Sequence, residues 1–170
     1  VAGAAEAKML QQELQSAMAS EDWDKTGALL GKVIEIDPGT WGGQAANFFG
    51  RVLIRQDNPE AAYKIGWALM DTAAADDPGF LNALAWTIVD PAQKPSKVDV
   101  KLALKAAERG VKLTERKDAM IMDTLARAYW INGQKREAIQ TQREAVGLVK
   151  GSDMEEQLAA VLAEYQDGLN

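Results

Sequence analysis

Residues 119–152 read AMIMDTLARAYWINGQKREAIQTQREAVGLVKGS, and this stretch decides the fold. Met122, Leu125, Ala126 and Tyr129 recur at spacings of three and four, which places them on one face of a helix. Asn132-Gly133 ends that helix, because glycine adopts the left-handed conformation of a C-cap without a Cβ penalty. A second helix follows, with Ala138 and Ala145 one heptad apart on its inner face. Small side chains on facing helices allow a close antiparallel pair.

The same register recurs upstream. Leu84-Ala85-Trp86 matches Leu125-Ala126-Arg127, and Ala103, Ala107 and Gly110 match Ala138, Gln142 and Ala145. Ala85 to Ala103 spans 18 residues where Ala126 to Ala138 spans 12, so the third unit carries six extra residues between its helices, around Asp90–Pro95. Two prolines there fit a loop and break a helix. In a second unit Phe49-Gly50 takes the Leu-Ala place, Ala62, Gly66 and Leu69 take the inner places, and Pro59 starts the second helix. In the first unit Glu13-Leu14 is a weaker match, while EDWDKTGALLGKVIEIDP (21–38) puts Thr26, Leu30 and Val33 inside and closes at Asp37-Pro38. From Asp153 to Tyr165 the apolar stripe Met154, Leu158, Val161, Leu162 and Tyr165 marks one more helix.

This residue order resembles the tetratricopeptide (TPR) repeat, whose period is about 34 residues. The units fall near 7–40, 43–76, 78–117 and 119–152, and residues 153–167 take the place of a capping helix over the last exposed face. The resemblance implies one all-α domain, a right-handed TPR-like α–α superhelix of four helix pairs and a cap. Thr26 stands where the family favours Ala, Glu13 where it favours Leu, and the second unit is rich in Gly. A narrower resemblance is carried by NALAW (82–86), LALKAAE (102–108) and MDTLARAYW (122–130): these look like the helical segment appended to some bacterial thioredoxin-like proteins.

Composition excludes several kinds of chemistry. The 170 residues include no Cys and no His. Thiol nucleophiles, disulfides, thiolate or imidazole metal sites and an imidazole base are therefore absent from this chain. Nineteen basic against 25 acidic residues give a net charge of −6. With a pI near 4.8, nucleic acid and anionic membranes are not expected partners. No apolar run approaches the roughly 18–20 residues of a membrane span. A first residue of Val1 reads as a processed chain or an excised fragment.

Asp22-Trp23-Asp24-Lys25-Thr26-Gly27 opens like a calcium loop, but its twelfth place is Val33, which cannot ligate. It reads better as an acidic helix start. DPGTWGG (37–43) has no preceding strand and no following Lys-Ser/Thr, so it reads as a connector holding Trp41 rather than a phosphate loop. Adjacent acids at Glu21-Asp22, Asp76-Asp77 and Glu155-Glu156 point to different sides of a helix and do not converge on a substrate. Neither a metal nor any other cofactor is expected. From Lys94 to Lys117 there are eight basic and three acidic residues, including the stripe Lys97, Lys101, Lys105, Arg109, Lys112 and Arg116. The last 18 residues carry five acids and no base, so intramolecular or head-to-tail pairing with that stripe is a further expectation.

In TPR arrays the first helix of each unit lines the concave face, where ligand peptides lie. The resemblance therefore implies a groove holding Asn47, Arg51, Arg55, Asn82, Trp86, Asp123, Arg127 and Trp130. Lys8, Gln11, Gln15, Met18, Gln44, Ile54, Val89 and Ile131 belong to the same implied lining. Trp and Arg are enriched at binding hot spots, and Asn and Gln suit peptide amides. The two tryptophans serve equally well as inter-repeat packing, with the arginines paired to Asp123 or Asp90 in that alternative. The chaperone-binding TPR subclass needs a lysine set that does not accompany Asn47 and Asn82, so that partner is not expected.

The expected function is a non-enzymatic scaffold binding a protein or peptide in this groove, with self-association through a terminal face compatible with it. The alternative is an accessory module of a larger thioredoxin-like thiol–disulfide oxidoreductase whose catalytic domain lies outside this chain. That second resemblance implies a periplasmic or exported location; without it the expectation is the cytoplasm.

Overall fold

The computed structural model describes residues 2–169. Among these residues there are nine α-helices and no strand. They are α1 (Ala2–Ala19), α2 (Trp23–Ile36), α3 (Pro38–Gly50), α4 (Pro59–Leu69), α5 (Pro78–Val89), α6 (Val100–Leu113), α7 (Ala119–Ile131), α8 (Lys135–Leu148) and α9 (Glu155–Asp167). A π-helical turn, Arg51–Arg55, extends α3, and a 3-10 turn, Ala73–Asp76, precedes α5.

The helix starts follow one chemical rule. Asp22, Asp37, Asn58, Asp77, Asp99 and Asp118 are the N-caps of α2 to α7, and each side chain accepts a backbone N–H from the first turn. Each bond satisfies one donor that the helix leaves open, and such caps contribute about 1 kcal/mol apiece. Pro38, Pro59 and Pro78 sit just inside three of these starts, where proline's missing N–H costs nothing. At Asp37 the hydrogen bonds from Thr40 hold the carboxyl below its usual value.

The cap at Asp37 corrects the sequence reading of DPGTWGG. The segment is not a connector: Asp37 ends α2 and starts α3, and Gly42 and Gly43 are helical. This helix therefore begins at Pro38, five residues before Gly43, where the sequence suggested a unit start. Cap and proline together outweigh the poor helix propensity of the glycines.

Helix ends use the left-handed conformation. Gly133 has φ of 81°, and the Gln134 N–H bonds back to the Tyr129 carbonyl. Glu21 and Glu115 adopt the same conformation after α1 and α6, with Asp22 donating to Ala17 and Arg116 to Val111. These six-to-one bonds are Schellman closures, two of them made without glycine.

Among the α-helices every substantial contact joins chain neighbours or next neighbours. The pairs α1–α2, α5–α6, α7–α8 and α8–α9 pack directly, and α3, α5 and α7 form a second row. Alanine dominates the inner face of α6, where Ala103, Ala106 and Ala107 are fully buried. The main core runs through Phe49, Leu53, Ile65, Leu69, Leu81, Leu84, Leu102 and Met122. Gly66 lies at its tightest crossing: a Cβ there would sit 2.7 Å from Leu102 Cδ2 and 2.9 Å from the Phe49 ring. A smaller cluster of Ala126, Ala138, Ile139 and Tyr165, flanked by Trp130, Val161 and Leu162, attaches α9.

Candidate functional site

A helical row at spacings of three and four sets one wall of a polar cleft. Gln44, Asn47, Arg51, Ile54 and Arg55 project from α3 and the π turn. In that turn the Gln56 N–H bonds to the Arg51 carbonyl at 3.0 Å, a five-residue step that widens the helix. Such wide turns recur at functional sites. Across the cleft stand Trp86 and Thr87 from α5, and Asp90 and Gln93 from the loop that follows. The cleft's volume is about 640 Å³.

The cleft is cationic and its charges are available. The Arg51 guanidinium lies 5.1 Å from the centre of the buried Phe48 ring, a cation–π contact, and the residue is exposed. Among the described residues no ion pair involves Arg51 or Arg55. Asp90 is turned to its own loop, where Oδ1 accepts the Ala92 N–H at 2.8 Å. A guanidinium with a fixed plane binds carboxylate through two parallel bonds, and Trp86 offers an apolar face beside it.

Four of the eight expected groove residues, Asn47, Arg51, Arg55 and Trp86, meet in this cleft. The other four take part in packing at the opposite end of the same helix row. Asn82 accepts the Thr124 hydroxyl at 2.6 Å and so ties α5 to α7. Asp123 accepts from Gln142 Nε2 at 2.7 Å, and the same amide donates to the Leu158 carbonyl at 3.1 Å. Burial pushes the Asp123 carboxyl up, against the opposing pull of Gln142 and Arg127. Arg127 donates from Nε toward the Val89 carbonyl at 3.4 Å. Trp130 stacks on Tyr165 of α9. Lys8, Gln11 and Gln15 are exposed on α1, Met18 packs on the core, and Val89 is buried.

Sequence reasoning did not place Phe48, Thr87 or Gln93 at the site, and named Asp90 only as an ion-pair partner for the arginines. Phe48 reads as a core residue, and Asp90 and Gln93 lie in the six-residue insertion, which has no counterpart in the other units. That the insertion borders the cleft was the one available signal.

The other sequence candidates resolve into local structure. Asp22 accepts the Lys25 N–H at 3.1 Å as a helix cap, and no group of three or more acids suited to a metal ion occurs among the described residues. The basic stripe does not pair with the acidic carboxyl-terminal segment within the described residues. Arg109 pairs with Asp76 at 2.6 Å and Arg116 with Glu144 at 2.6 Å, both from neighbouring elements. Among these residues no helix is long and apolar enough to cross a membrane. Comparison with known protein families, with curated proteins and with solved structures finds no match for this chain.

Proposed function

We propose that the chain is a non-enzymatic binding scaffold, a right-handed superhelix of TPR-like helix pairs closed by α9. It holds an extended peptide or protein segment in the cleft between α3 and α5. The observation that carries this reading is the convergence of Asn47, Arg51, Arg55 and Trp86 on a single open cleft of about 640 Å³. Its two arginines have no acidic partner among the described residues. The near-neighbour packing of the helices supports the array, since in a solenoid each unit contacts only the next.

The chemistry follows from the lining. Asn47 and Gln44 suit the amides of an extended chain, Trp86 and Ile54 an apolar side chain, and Arg51 with Arg55 a carboxylate. A panel of immobilised peptides of varied sequence, probed with the wild-type chain and with Arg51→Glu/Arg55→Glu, tests it. Peptides retained by the wild type should lose at least about tenfold in affinity with the variant, whose helical circular dichroism stays unchanged. If every retained peptide binds both proteins equally, the cleft is not the binding site.

A further inference from the structure

The chain after the insertion, residues 97–101, borders a second trough on the side of the molecule formed by α4 and α6. The Tyr63 hydroxyl donates to the Lys97 carbonyl at 2.5 Å, and the Trp67 indole N–H donates to Asp99 Oδ2 at 2.8 Å. These bonds fold the loop back on the preceding unit without closing it. A space of about 860 Å³ remains, floored by Pro59, Tyr63 and Trp67 and walled by Val98 and Val100. Val98 is 41% exposed there, an apolar side chain of a proline-bearing loop left facing solvent.

The trough's rim carries Lys64, Lys97 and Lys101 against Glu60 and Asp99. Both Asp99 oxygens are engaged, since Oδ1 takes the Leu102 N–H at 3.0 Å. Lys97 and Lys101 on the rim make no ion pair among the described residues. From the trough Lys101, Lys105, Arg109 and Lys112 continue along one face of α6, which they share with Glu108, whose carboxylate accepts the Tyr129 hydroxyl at 3.2 Å. Lys105 sits over the Trp67 ring at 5.2 Å, and among the described residues only Arg109 of this row has an acidic partner. Eleven helical residues span about 16 Å, the reach of about five residues of extended chain.

We propose that this trough and stripe form a docking surface, distinct from the α3–α5 cleft, for an acidic segment of a partner protein with one large apolar residue at its end. The apolar residue fills the space between Trp67 and Val98, and the carboxylates run along Lys101, Lys105 and Lys112. Charge complementarity selects a peptide over a small acid: a single carboxylate needs one or two lysines, whereas the row extends well beyond the trough. An acidic chain repels most other faces of this net-negative protein, which concentrates it on the stripe.

The probe is a fluorescein-labelled peptide with one phenylalanine ahead of a run of alternating glutamate and serine, titrated with the full chain by fluorescence anisotropy. Lys97→Glu/Lys101→Glu should weaken it by about tenfold or more, and added salt should weaken it further. Val98→Asp should weaken it without altering helicity, while Arg51→Glu should leave it unchanged. The proposal is overturned if the peptide does not bind, or if a phenylalanine-free version binds as tightly. It is equally overturned if binding depends on Arg51 rather than Lys101, which would place the peptide in the α3–α5 cleft. Self-association in sedimentation that Lys101→Glu abolishes would make a second copy the occupant and also sink it.

Discussion

Trp130 of α7 and Tyr165 of α9 stack with ring centroids 4.6 Å apart and planes 15° apart. The Lys135 ammonium lies 5.0 Å from the centre of the Trp130 ring and donates to the Gly168 carbonyl at 2.7 Å. Trp130 thus anchors the last helix, the packing role that the sequence left open for it beside a groove one. That fixes where α9 can detach and where it cannot.

Trp130→Ala should therefore loosen α9 before the rest of the chain. Removing a large, partly buried aromatic costs about 2–4 kcal/mol where its neighbours cannot close the gap. Hydrogen exchange should rise over α9 and the end of α8 with α2 to α6 protected as before. Uniform loss of protection along the chain would mean that α9 is not a separable element.

Tyr165 ties the same contact to alkaline pH. Burial pushes its hydroxyl up to about 12, although Arg127 pulls the other way. Burial also raises Tyr63 and Tyr129. Unfolded tyrosines lose their protons near pH 10. Between about 10 and 12 the folded chain thus holds protons that the unfolded chain has released, and stability falls as pH rises through that window. Below about 10 the contribution is fully present. Melting temperature should drop above pH 10, and Tyr165→Phe should flatten the drop. An equally steep loss in that variant would assign it to other groups.

Gly66→Ala should destabilise the chain by about 1–3 kcal/mol despite the gain in helix propensity. The added methyl meets Leu102 at 2.7 Å and Phe49 at 2.9 Å, and both of these side chains are fully buried. Gly43→Ala is the control, because nothing lies within 4 Å of its Cβ position. Urea denaturation of the two variants separates helix propensity from crowding. Equal stability in both would show that α3, α4 and α6 shift apart easily.

The helices were legible because their signals are local. Alanine spacing marked the inner faces of α6 and α8, and Asn132-Gly133 marked the end of α7. The start of α3 was misread because Gly42-Gly43 suggests a loop, whereas the deciding group is the Asp37 carboxylate one residue before Pro38. The closures at Glu21 and Glu115 carry no glycine to announce them. The π turn is a shift of hydrogen-bond register, and the apolar pattern of Val52 and Leu53 fits an α-helix as well. Half of the expected groove residues reached the cleft because Asn47, Arg51 and Arg55 share one helix face. Asp123, Arg127 and Trp130 share an equivalent face, but whether it stays open depends on where α9 folds, which no spacing within α7 encodes.

Asp123 provides the test of that distinction. Its carboxyl is raised first by burial, so the folded chain holds the Asp123 proton to higher pH than the unfolded chain does. The stability it contributes is complete below the usual aspartate value and is lost as pH rises through the folded one. At neutral pH the protein carries a partly buried charge that Asn would not have, and an Asn carbonyl can still accept from Gln142. Asp123→Asn should raise the melting temperature at pH 7 by on the order of 2 °C. The gain should shrink toward nothing near pH 3.5, where the carboxyl is protonated in both states. Peptides selected on the α3–α5 cleft should bind this variant as they bind the wild type. A fall in their affinity, with the stability gain intact, would return Asp123 to the binding surface and extend the cleft along α7.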